Sequence, residues 1–208
     1  MAKRDDFVAQ ALPPRPQWPE MVFTLPDLQY PARLNAVAEL LDVWTARGHG
    51  DAPCVLGADF VWSYAEFTAR VNRICNVLVR ELGVVPGQAV LLRGFNSPML
   101  AACILAVIKA GAVAVPTMPM LRAREIAYPM TKARVSVALC DARLAADLEA
   151  ARPLAPSLQR VVVYGADAKD GLEALMAAEI LVTAWRKTSL PCMRRRPVVL
   201  VEDGPPSI

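Results

Sequence analysis

The stretch NSPMLAACILAVIKAGAVAVP, residues 96–116, decides the fold. Asn96 or Ser97 can cap a helix, Pro98 suits a first turn where its missing N–H leaves no bond unmade, and Gly111 supplies a left-handed residue to end it. The helix between them is apolar nearly all round, so it must be covered on most sides. The Ala-Val-Ala-Val-Pro that follows reads as an interior strand of a sheet with helices on both faces. The fold class expected is α/β.

Working outward, the same alternation recurs. Upstream, residues 89–92 (AVLL) form a short, wholly apolar strand, preceded by the turn Pro86-Gly87 and by a helix from Ser63 to Gly83. That helix opens on Ser-Tyr-Ala-Glu, in which the serine and the glutamate three positions later each satisfy an end donor. Before it, residues 53–56 and 60–62 flank Gly57-Ala58-Asp59 and predict a hairpin. A helix opened by Asn35 places Leu34, Val37, Leu40, Leu41 and Trp44 on one face. Downstream, helices over 122–132, 141–151 and 171–178 alternate with strands over 135–140 and 158–164. Pro129 should kink or shorten the first of these helices. Sustained alternation implies right-handed crossovers and a largely parallel sheet.

Three units are expected. Residues 1–34 are an extended proline-rich arm that lies on the folded body through Trp18, Phe23 and Tyr30. Residues 35–178 form the α/β unit. Residues 179–208 keep no period, carry Arg194-Arg195-Arg196, and are expected to be disordered.

Composition excludes several functions. The 208 residues carry a net charge of only +3 and no basic face with interleaved aromatics, which argues against nucleic acid. Five cysteines stand singly and His49 is the only histidine, so no metal site is expected; Cys75, Cys103 and Cys140 read as small buried hydrophobes. Mean hydropathy is +0.31. Residues 99–121 are almost all apolar, but Lys109, Gly111, Pro116 and Pro119 break the run and argue against a membrane span. MAKRDDFVAQALPPRP holds no continuous apolar core, so no secretory signal is expected and the cytoplasm is the expected compartment.

Candidate chemistry is sparse. Residues 93–97 (RGFNS) leave the carboxyl end of a strand and enter a helix, where α/β proteins bind ligands, and residues 117–119 leave the next strand in the same way. A strand-to-helix turn with a cap explains both more simply than a ligand site does. Capping and a solvated loop explain Ser63, Asp141 and His49 better than catalysis does.

Three blocks carry a family resemblance: WSYAEFTARVNRICNVLVRELGVVPGQAVLLRG (62–94), NSPMLAACILAVIKAGAVAVPTMPMLRAREI (96–126) and KARVSVALCDARL (132–144). Each resembles a block in the N-terminal part of the adenylate-forming acyl-CoA synthetases, most closely the 2-aminobenzoate and benzoate CoA ligase group. LPDLQYPARLNAVAELLD (25–42) is similar to the opening of the aminobenzoate branch. The resemblance implies an ATP- and magnesium-dependent ligase that makes an acyl adenylate of an aromatic carboxylate and passes it to coenzyme A. It implies no catalytic, cofactor-binding or metal-binding residue here, because none of the family's catalytic motifs has a matching position. The chain alone is therefore expected to be an inactive fragment that binds none of these cofactors. The alternative is a short, non-catalytic homologue that binds or regulates a full-length ligase. Self-association through an exposed sheet edge is a further expectation.

The 179–208 segment also fits a shifted reading frame. Read from third bases, codons for Lys187-Thr188-Ser189 can give Asp-Val, and those for residues 196–201 can give Thr-Ser-Gly-Thr-Gly. Both resemble motifs that the family would place next, in the family's order.

Overall fold

Strand β3 (Ala89–Arg93) lies inside a four-stranded parallel sheet, and all five of its residues are buried. The computed structural model describes residues 4–20, 22–31, 34–57, 59–166 and 168–179. Element order is α1 (Phe7–Gln10), the hairpin β1 (Pro53–Leu56) and β2 (Val61–Ser63), α2 (Tyr64–Asn76), β3, α3 (Pro98–Lys109), β4 (Val113–Thr117), α4 (Ala123–Lys132), β5 (Val137–Asp141), α5 (Ala145–Ala151), β6 (Arg160–Tyr164) and α6 (Leu172–Ala178). Spatial order in the sheet is β4-β3-β5-β6.

Side chains alternate across the sheet, as strand geometry requires. On one face Val90, Leu92, Val137, Leu139, Val162 and Tyr164 meet the helices α2, α3 and α6. On the other, Ala89, Leu91, Ala138 and Cys140 meet Ile126, Ala127 and Met130 of α4 and Leu148 and Ala151 of α5. A strand buried on both faces has no polar positions to spare, which is why β3 and β5 read as unbroken apolar runs. Truncating a side chain such as Leu139, fully buried, costs roughly 3 kcal/mol.

The helix read from residues 98–110 forms as its ends dictate. Leu100 N donates to Ser97 Oγ at 3.2 Å, Pro98 occupies the first turn, and Gly111 takes φ +72° after it. The apolar run 99–121 is thereby divided into a helix and a strand; among the described residues no helix is long and apolar enough to cross a membrane. Lys109 turns inward, and its Nζ donates to Asp42 at 2.6 and 2.8 Å. That pair, with Asn35 Nδ2 donating to Lys109 O at 3.2 Å, fastens the helical segment before the hairpin onto α3.

Four expectations need correction. Among the described residues the strand of residues 113–117 is not interior: β4 is an edge strand whose residues are half-buried or exposed. Pro116 gives the reason, since a residue without an N–H is tolerated at an edge but not between two strands. The face expected on the Asn35 helix is displaced. Val37 and Leu41 are buried, but Leu40 is 60% exposed and Trp44 38%, because Ala38–Val43 and Thr45–His49 wind in wide π-helical turns that break the 3.6-residue period. Pro129 does not shorten α4, which runs on to Lys132. The arm does not bury its aromatics. Phe23 packs edge-on against Tyr30 with both exposed, and Trp18 Nε1 donates to Pro13 O within the arm. What attaches the arm is its start: Asp5 N donates to Pro86 O at 2.9 Å, and Val8 packs onto the α4–α5 core. The expected disorder and shifted frame of the tail concern residues that, beyond Glu179, lie outside those described.

Candidate ligand end of the sheet

The chain leaves β3 through α3 to reach β4, then crosses back through α4 to β5 on the other side of β3. The connections from β3 and β5 therefore diverge to opposite faces, and the crevice beyond their carboxyl ends is where open α/β sheets bind ligands. The loops read as candidates, residues 93–97 and 117–119, meet there with Asp141.

Arg93, fully buried at the end of β3, does not face a ligand. Its Nη1 donates to Met118 O at 3.0 Å, and its Nη2 to Pro119 O at 3.0 Å and Leu121 O at 2.8 Å. Asp147 of α5 lies 3.7 Å from the same nitrogen. Three carbonyls and a carboxylate thus hold the guanidinium, leaving only Nε buried without a partner. Gly94 follows because nothing larger fits: a Cβ there would overlap the Tyr164 hydroxyl, which donates to Arg93 O at 3.3 Å. Burial pushes the Tyr164 phenol well above its ordinary range.

Across the crevice Asp141 and Arg143 pair through two bonds, Nε to Oδ1 at 2.9 Å and Nη2 to Oδ2 at 2.7 Å. Asp141 Oδ1 also accepts from Arg143 N at 3.0 Å, the capping role expected of it. The Arg143 side-chain bonds hold the Asp141 carboxyl below the usual carboxylate range. The Arg143 guanidinium lies 4.4 Å from the centre of the Phe95 ring and joins the two loops. Cys140, buried beside this group, has its thiol pushed up to about 12 chiefly by burial. It is no nucleophile at neutral pH.

Ser63 and His49 lie elsewhere. Ser63 and Glu66 form the reciprocal cap read from the sequence, at 3.2 and 2.9 Å. His49 stacks on Trp44 with ring centres 4.2 Å apart. Arg143, Asp147 and Tyr164 were not legible as site residues. Arg143 stands two positions after Asp141, the spacing of a local cap, but no spacing in sequence joins Tyr164 to Gly94. Among the described residues no group of three or more His, Cys, Asp or Glu could hold a metal ion, and Arg93 and Asp141 at the carboxyl ends are bonded within the protein.

Comparison with known proteins follows the same lines. A family model described as AMP-binding enzyme matches residues 43–197, past residue 178 where the α/β unit expected from the sequence ends. The benzoate–CoA ligase of Thauera aromatica is 27% identical over 154 residues, 74% of this chain and 29% of that protein. The 3-hydroxybenzoate–CoA ligase of Aromatoleum sp. (strain CIB) is 33% identical over 140 residues, 67% of this chain and 26% of the relative. Among solved structures, the anthranilate CoA ligase AuaEII in complex with anthranoyl-AMP superposes with a TM-score of 0.65 over 72% of this chain and 28% of its own, at 22% identity. MatB from Rhodopseudomonas palustris gives 0.60 over 70% and 28%, at 26% identity. The fold is that of the N-terminal part of adenylate-forming ligases, and the chain spans less than a third of the length of these relatives.

Proposed function

Because the chain belongs to the AMP-binding enzyme family, we propose that it is part of a ligase that activates an aromatic carboxylate as its adenylate and transfers it to coenzyme A. The observation that carries the aromatic assignment is the match to benzoate and 3-hydroxybenzoate ligases over two thirds or more of the chain. ATP, magnesium and coenzyme A are the cofactors of this reading, and the crevice at the carboxyl ends of the strands neither holds nor turns over any of them in the chain alone. Adenylate formation needs a backbone cradle for the phosphates and cations for the developing charge, together worth several kcal/mol of transition-state stabilisation. Arg93, the cation at the head of the crevice, is already committed to three carbonyls.

Two further parts of the reading concern the ends of the fold. Residues 179–208 derive from a shifted frame, and sequencing the locus downstream of codon 178 tests this: a stop codon in the shifted frame, or no Thr-Ser-Gly-Thr-like motif opposite residues 196–201, overturns it. Association occurs along β4, whose outer side has no strand partner among the described residues and which runs into the exposed Met118 and Met120. A single sedimenting monomer across a hundredfold concentration range contradicts that.

The substrate class is tested by expressing the chain joined in frame to the downstream coding region. The product should release AMP with benzoate or 2-aminobenzoate and ten times more slowly, or not at all, with acetate and hexanoate. Preference for an aliphatic acid overturns the aromatic assignment.

A further inference from the structure

At the opposite end of the sheet, where β3, β5 and β6 begin, lies an open cleft of about 540 Å³, within the size range of small-molecule sites. Its walls come from the turn before β3 (Gln88), the approach to β5 (Arg134, Ser136) and the start of β6 (Ser157, Arg160), and residues 4–6 of the arm close one side. Three arginines face two aspartates. Both acids are engaged: Asp6 Oδ1 pairs with Arg4 Nε at 2.6 Å, and Asp5 Oδ1 accepts from Phe7 N at 2.9 Å.

The donors are not engaged in the same way. Arg160 has no ion pair or side-chain hydrogen bond among the described residues, and Arg134 makes only a ring contact, its guanidinium 4.0 Å from the centre of Phe7. Ser157 Oγ is buried with no partner, an arrangement that costs free energy unless a ligand or solvent completes it. Gln88 Nε2 bonds Ser136 Oγ at 2.6 Å and fixes the floor between them. Arg134 takes φ +49°, a left-handed conformation uncommon for a side-chain-bearing residue, and this directs the chain into β5 beside the cleft.

We propose that this cleft binds a small phosphate-bearing anion, held by Arg134 and Arg160, with the unpartnered Ser157 hydroxyl turning out of its buried position to donate to it. Guanidinium groups pair with phosphate oxygens through parallel bonds, and two of them with a hydroxyl match one or two phosphate groups better than a monocarboxylate. Because Arg4, Asp5 and Asp6 form one wall, the anion ties the start of the arm to the base of the sheet.

The test is a titration of the whole chain, followed by backbone-amide NMR, with inorganic phosphate, pyrophosphate and AMP at constant ionic strength. Pyrophosphate should saturate and bind more tightly than phosphate, with the shifted amides confined to residues 4–6, 134–136 and 157–160. R134Q and R160Q should each weaken it about tenfold, the scale of one charge-assisted hydrogen bond. R124Q, on an exposed arginine of α4 outside the cleft, should change nothing. AMP binding as well as phosphate identifies an ester as the source, and phosphate without AMP identifies the free anion; either supports the site. No saturable shift, shifts mapping elsewhere, or unchanged affinity in both variants overturns it.

Discussion

The two ends of the parallel sheet use similar residues to opposite effect. At the carboxyl ends the charged side chains consume one another: Arg93 is bound by three carbonyls, and Asp141 and Arg143 form a closed pair. At the amino ends Arg160 and Ser157 Oγ keep unused bonding capacity around an open cleft. The end where such folds bind ligands is thus a cross-braced scaffold in this chain, with Arg93 Nε its one buried guanidinium nitrogen left unpaired, and the end where donors line an open cleft is the one beneath the arm. An arginine buried with both terminal nitrogens bonded holds loops together, whereas an arginine with those donors free is available to a ligand.

Substitutions at the braced end should therefore cost stability, and substitutions at the open end should not. The largest effect is expected for Arg93→Met, which strands three loop carbonyls and should lower unfolding free energy by about 3 kcal/mol in urea titration. A change near zero would mean that the brace holds nothing. Gly94→Ala should cost about 2 kcal/mol by overpacking against the Tyr164 hydroxyl. Adding Tyr164→Phe should recover part of that loss, and strictly additive costs would contradict the overlap. Asp141→Asn sharpens the comparison through pH. The Asp141 carboxyl is held low by Arg143, so its contribution is complete above the ordinary carboxylate value of about 4 and fades as pH falls through the lower folded value. The variant should be less stable than the parent at pH 7 and converge with it in acid, and a constant gap down to pH 2 would refute the assignment. Smallest of all, Arg160→Gln should leave the unfolding midpoint unchanged while altering anion binding.

Much of this architecture was legible because its signals are local. Ser63 with Glu66, Ser97 with Pro98, and Gly111 each write a helix boundary within four residues, and the uninterrupted apolar runs of β3 and β5 announce burial on both faces. The site was less legible because its contacts are long-range. Arg93 reaches residues 25 to 28 positions away, and Tyr164 reaches 71. β4 misled because its apolar residues match an interior strand, and only Pro116 records that one side is open. The Asn35 helix misled because its π-turns break the 3.6-residue period, and Asp42 within them bonds Lys109, 67 positions away.

The measurement that bears most directly on the central claim is AMP release by the purified chain itself, incubated with ATP, magnesium, coenzyme A and benzoate or 2-aminobenzoate. With the crevice cation committed to backbone carbonyls and no phosphate cradle among the described residues, the account predicts no AMP above the enzyme-free control over several hours. Release of one equivalent or more per chain, dependent on the aromatic acid, would contradict it.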